Sequence, residues 1–185
     1  MFTVSSSSAD PRSGLVFNIH ELGRRVGSMR EIRETASAGE GIGIDVIGVP
    51  TGSDIDLDLR FQSVMEGVLV TGVAELLLRG ECVRCLETFE SIDSFDIQEL
   101  FLYPDKELDD DEACRVEGEL IDLEPVLRDS VVLDLPFAPL CRPDCAGLCA
   151  ECGANLNQNP EHSHDEATDP RWSGLSGWAT EDHTK

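Results

Sequence analysis

Residues 55–64 read IDLDLRFQSV, and the fold turns on how they alternate. Ile55, Leu57, Leu59 and Phe61 interleave with Asp56, Asp58, Arg60 and Gln62. An extended chain puts the first set on one face and the second on the other. That is the pattern of an antiparallel sheet with one covered face and one wet one. Working outward, GVLVTGVAELLLRG (67–80) is expected to be the next strand, with Gly72 at a bulge or a close backbone approach. LETFESIDSFDIQELFLY (86–103) resumes the alternation through Phe89, Ile92, Phe95 and Ile97. Upstream, IGIDVIGV (42–49) reads as a strand closed by Pro50 and Gly52, and LVFNIHEL (15–22) as a first strand. Between these two, SMREIRETA is expected to form a short helix, with Ser28 as N-cap and Glu31 as its capping-box partner.

The clearest helical stretch is LIDLEPVLRDSVVLDL (120–135). Leu123, Val126, Leu127, Val131 and Leu135 form one apolar stripe; Asp122 can cap the start, and Pro125 is tolerated in the first turn. Laid on the sheet, this helix predicts an α+β fold: an antiparallel meander or partly closed sheet, one main amphipathic helix and a Cys-rich zinc knuckle. The expected organisation is a disordered tail over 1–13, an α+β domain over 14–158, and a polar tail over 159–185. The domain carries the knuckle at 139–156, and the tail a short amphipathic segment at DPRW. Residues 104–118 form an acidic, solvated loop, in which Cys114 reads as an incidental surface thiol.

Six of the seven cysteines fall in pairs: Cys82 and Cys85, Cys141 and Cys145, Cys149 and Cys152. Soft thiolates enclose zinc in fours, so four of these six are expected to hold one Zn2+ ion. Three sets are open. Cys82 and Cys85 can join Cys149 and Cys152, or join Cys141 and Cys145, or the last four can act alone; the joined sets are favoured because they give the upstream pair a purpose. Gly153 allows the tight turn after Cys152. His162 and His164 can complete a site, although polar tails commonly carry histidines without a role. His20 reads as structural. No Ser–His–Asp constellation, phosphate-cradling loop or apolar carboxylate pair supports an enzyme.

The net charge of −23 opposes broad binding to phosphate backbones and suits a basic partner. Only residues 11–33 run positive, with Arg12, Arg24, Arg25, Arg30 and Arg33 against Glu21 and Glu31. Arg24, Arg25, Arg30 and Arg33 are therefore candidate partner contacts, with internal salt bridges the plainer reading. Trp172 and Trp178 are candidates for the same reason that tryptophans anchor interfaces. No run of about 18 apolar residues is available to span a membrane. Unpaired thiols point to a reducing cytoplasm.

ECVRCLETFE (81–90), EGELIDLEPVLRDSVVLDLPFAPLCRPDCAGLCAECGANL (117–156) and DPRWSGL (169–175) together resemble the YceD family, the large ribosomal RNA subunit accumulation proteins. LVFNIHELGRRVGSMRE (15–31) and VMEGVLVTG (64–72) are similar to its actinobacterial-type members, and the likeness spans residues 14–178. The resemblance implies a non-enzymatic factor that sustains large-subunit ribosomal RNA, in a family whose members differ in how many C-terminal cysteines they carry. The expected partner is a basic large-subunit ribosomal protein or a pre-ribosomal particle, with RNA contact indirect. Thiol redox sensing and RNA binding by a zinc knuckle are the alternatives.

Overall fold

The computed structural model describes residues 14–105, 113–164 and 171. The chain divides into two compact units, residues 1–145 and 146–185. The described part of the first contains β1 (Val16–Asn18), β2 (Met29–Ser37), β3 (Gly43–Ile44), β4 (Ile47–Gly48), β5 (Asp54–Ser63), β6 (Gly67–Glu81), β7 (Thr88–Leu102), β8 (Leu120–Asp122) and α1 (Glu124–Asp134).

All pairings between these strands are antiparallel. β6 pairs along its whole length with β7, from Gly67 opposite Leu102 to Glu81 opposite Thr88. Its other edge takes β5 and then, past the end of β5, the short β4, which turns back into β3. β2 closes the outer side of β5, and β1 and β8 form a separate two-stranded ribbon. As the alternation requires, Ile55, Leu57, Leu59 and Phe61 are buried while Asp54, Asp56, Asp58 and Arg60 face water. Val68, Val70, Ala74, Leu76 and Leu78 extend that buried face through β6, and Phe95, Ile97 and Phe101 carry it onto β7. The sheet-dominated architecture with one helix follows from this single continuous apolar face.

Gly72 stands where backbones crowd: a Cβ there would lie 2.2 Å from the Asp58 carbonyl oxygen. The helix covers the sheet with Leu123, Val126, Leu127, Val131 and Leu135, all buried, and packs against β7 and β3. The N-cap of the helix is Leu123, with no side-chain cap, rather than Asp122, whose carboxylate accepts the Glu124 N–H at 3.0 Å in the turn before it; Glu124 pairs with Arg128 at 2.8 Å one turn on. The β1–β8 ribbon is tied to the sheet by Phe17 against Phe61, ring centroids 5.4 Å apart. A buried hydrogen bond of 3.0 Å joins Ser63 Oγ and Tyr103 Oη.

Six further expectations are corrected. SMREIRETA is a strand, not a helix. Glu31, Arg33 and Thr35 of β2 stand opposite Arg60, Asp58 and Asp56, bonded at 3.0, 2.9 and 2.6 Å, and these cross-strand pairs override the local capping box. The first strand stops at Asn18, whose side chain accepts the His20 N–H and starts a turn. Residues 42–49 are a two-residue hairpin rather than one strand, and the helix begins only at Glu124 because Leu120–Asp122 pair with β1. Ile92 lies on the wet face of β7, 68% exposed, out of phase with Phe95 and Ile97. Cys114 is half-buried against the core, and burial, followed by Glu99 and two aspartates, pushes its thiol up to about 11.

Leu127→Ala removes a fully buried side chain between helix and sheet, and should cost about 2–5 kcal/mol in urea unfolding. On the surface, the hydrogen bond that His20 Nδ1–H donates to the Glu119 carboxylate at 2.7 Å, and then the carboxylate's charge, raise the His20 pKa above 6.5. A raised folded pKa means that this pair stabilises β1–β8 below the unfolded pKa, and that its contribution fades as pH rises through the folded value. NMR titration should give His20 a midpoint above 6.5 that Glu119→Gln lowers.

Candidate metal centre

β6 and β7 are locked in register to their common end, so the loop between them is held at a fixed corner of the sheet. That loop is CVRCLE, residues 82–87. The Cys82 N–H donates to the Glu87 carbonyl at 2.9 Å, and the Leu86 N–H to the Cys82 carbonyl at 2.8 Å. The chain closes this turn with Leu86 at φ 59°, a left-handed conformation that disfavours a side chain by about 1–2 kcal/mol. Something at this corner compensates that strain.

Downstream, the segment after α1 returns to the same corner. The Val83 N–H donates to the Pro139 carbonyl at 3.0 Å, and the Arg84 guanidinium to the Cys145 carbonyl at 2.9 Å. These bonds bring Cys141 and Cys145 onto the loop. The Sγ atoms of Cys82 and Cys145 stand 3.7 Å apart, as do those of Cys85 and Cys141, and all four lie within 4.8 Å of one another. A tetrahedral ion with metal–sulfur bonds of about 2.3 Å separates its sulfurs by about 3.8 Å. The four thiols fit such an ion, and Cys82, Cys85 and Cys145 are buried.

The electrostatics match. Burial opposes ionising Cys82, but the backbone N–H groups of Cys141, Cys85 and Arg84 outweigh it and bring the thiol down to about 6. Burial, then the neighbouring thiols, push Cys141 up to about 12, and Cys85 is also raised despite the N–H of Glu87. Without a cation the cluster favours one thiolate, because adjacent anions repel. A divalent cation removes that limit and displaces the remaining protons.

Of the three sets open from sequence, the structure brings together Cys82, Cys85, Cys141 and Cys145. Cys149 and Cys152 do not join them. They belong to the second unit and gather with His162 and His164, so two groups capable of holding a metal stand where one centre was expected. The candidate arginines are largely engaged within the chain. Arg24 lies over the Tyr103 ring at 4.6 Å and beside Asp105; Arg30 is near Glu21, and Arg33 pairs with Asp58. Arg25 is exposed. Trp172 and Trp178 lie outside the described residues.

Comparison with known proteins bears on this arrangement directly. The family model for large ribosomal RNA subunit accumulation protein YceD matches residues 70–177, from near the start of β6 past both cysteine groups. This chain belongs to the YceD family. An uncharacterized protein of Mycobacterium tuberculosis H37Rv is 46% identical over 167 residues, covering 88% of this chain and 80% of the relative. One from Mycobacterium leprae is 40% identical over 168 residues, covering 89% and 77%. A shorter match, 46% over 37 residues, joins 20% of this chain to 13% of the maize large ribosomal RNA subunit accumulation protein YCED homolog 1, chloroplastic. No solved structure matches. The YceD matches support a role tied to the large ribosomal subunit, and no helix among the described residues is long and apolar enough to cross a membrane.

Cys85→Ser should abolish metal retention by the four-cysteine group. The expected loss is about 2 kcal/mol, read as roughly 4–8 °C in melting temperature. Wild-type protein treated with chelator should melt like the variant.

Proposed function

We propose that this YceD protein is a non-enzymatic, cytoplasmic factor for large-subunit assembly that receives a basic ribosomal protein on the wet face of its sheet. A Zn2+ ion held by Cys82, Cys85, Cys141 and Cys145 fixes the segment after α1 to the β6–β7 corner. The observation that carries the partner's chemistry is the unbalanced charge of that face. Glu31, Asp54, Asp56, Asp58, Glu75, Glu90 and Asp96 share it with Arg33, Arg60 and Arg79. All three arginines are spent on Asp58, Glu31 and Glu90. Asp56 and Glu75 stand directly opposite each other across β5 and β6.

Like charges in register weaken a sheet, and a basic partner relieves the repulsion. Arg33, Glu34, Thr35, Asp56, Asp58 and Glu75 are among the residues lining a shallow depression of ≈ 460 Å³ on this face, Arg33 being paired with Asp58. Such a surface repels RNA, so any contact with pre-ribosomal RNA is indirect. Membership of a family named for large ribosomal RNA subunit accumulation supports the biology, and the charge supports a protein as the immediate partner.

Tagged protein recovered from cells at low salt should carry a basic large-subunit ribosomal protein. Asp56→Asn with Glu75→Gln should weaken that purified pair about fivefold, as expected from two exposed charges at about 0.5 kcal/mol each. Recovery of RNA alone, released by salt, would overturn this reading.

A further inference from the structure

Among the described residues of the second unit, 146–164 contain no helix or strand beyond a single bridge between Leu148 and Asn155. No apolar side chain of this stretch is buried. A segment without a core cannot offset its ordering entropy by burial, and small domains of this kind are commonly organised by a metal. Yet four ligand atoms converge here. Cys149 Sγ is 3.2 Å from His164 Nε2, Cys152 Sγ is 3.1 Å from His162 Nε2, and the two Nε2 atoms are 2.9 Å apart. All four lie within 4.8 Å of one another. Around zinc, sulfur–nitrogen and nitrogen–nitrogen edges of about 3.5 and 3.3 Å are expected, a few tenths longer than these.

A hydrogen-bonded ring of thiols and imidazoles would give similar distances. Three features separate a metal site from such a ring. First, the backbone around Cys149 repeats the turn around Cys82 bond for bond. The Cys149 N–H donates to the Ala154 carbonyl, five residues on, at 2.8 Å, as Cys82 does to Glu87; the Gly153 N–H returns to the Cys149 carbonyl at 2.8 Å, as Leu86 does to Cys82. Gly153 has φ 73° where Leu86 has 59°. Second, the backbone N–H groups of Cys152 and Glu151 are aimed at the Cys149 sulfur, as those of Cys85 and Arg84 are aimed at the Cys82 sulfur. Third, Glu151 Oε2 lies 3.4 Å from His164 Nδ1. A carboxylate beside the other ring nitrogen is the usual outer-shell support of a zinc-bound histidine.

We propose that Cys149, Cys152, His162 and His164 form a second, independent zinc site, and that its ion folds residues 146–164. Two thiolates and two imidazoles suit Zn2+ over Mg2+ or Ca2+, and together they neutralise it. The ligands come from one short stretch and are half-exposed or exposed, so this ion yields to a chelator before the one enclosed at the sheet corner.

Full-length protein equilibrated with Zn2+ and desalted should hold two ions per chain, one for each group. His162→Ala with His164→Ala should leave one, as should Cys82→Ser with Cys85→Ser, and the far-ultraviolet signal of the sheet checks that the histidine variant is folded. With Co2+ as probe, the histidine variant should show only a tetrathiolate spectrum, and the wild type that spectrum plus a two-sulfur, two-nitrogen component. Equal metal content in wild type and histidine variant would overturn the proposal, as would a wild-type cobalt spectrum with no nitrogen-ligated component. Loss of metal confined to the histidine variant, with the Cys82/Cys85 variant holding as much as wild type, would leave the second site standing and remove the first.

Discussion

β6 must be hydrogen-bonded along both edges over fifteen residues, and the first unit is arranged around that requirement. An extended chain of that length exposes a donor and an acceptor at every residue, and burying them unpaired would be prohibitive. β7 satisfies one edge completely. β5 is shorter, so the last residues of the other edge, Arg79 and Gly80, are covered by the two-residue β4. This small supplement keeps β6 in register to Glu81, and the cysteine loop that follows inherits its position from the ladder.

Strands 5 and 6 were legible because period two is a strong signal over eight or more residues: one face must be wet and the other dry. The helix core was legible for the same reason at period 3.6. β2 was not, since SMREIRETA carries a helix-start signal of local origin while its strand state depends on partners more than twenty residues away. Arg33 meets Asp58 only once β5 is formed, and no window on β2 alone contains that information. Ile92 misled in the opposite way: a hydrophobic residue in an alternating stretch counted toward the core, although its parity relative to Phe95 places it in water.

The metal groups show the same division between local and distant information. Each C-x-x-C pair is a local statement about a turn, and spacing revealed both. The grouping of pairs depends on where α1 ends and returns the chain, which Pro139 accepting from Val83 settles through one backbone hydrogen bond. The glycine after Cys152 was a usable sign of a left-handed closure. Leu86 hides the identical closure behind a side chain, so the kinship of the two turns emerges only from their dihedral angles and hydrogen bonds.

Charge argues further about what the sheet corner does. Four thiolates around a divalent cation carry a net charge of about −2, because each sulfur must be deprotonated to bind. Arg84 lies nearby but is committed to the Cys145 carbonyl, and Arg142 lies 3.4 Å from Asp144. With the proposed ion bound, the corner would add negative charge to a chain already at −23. A zinc module built to grip RNA places lysines and arginines around the ion to meet phosphates. Here the surroundings cancel or reverse that charge, and the acidic wet face extends it. The proposed metal would then serve as a clip for the chain after α1, and the proposed recognition would fall to the carboxylates of the sheet.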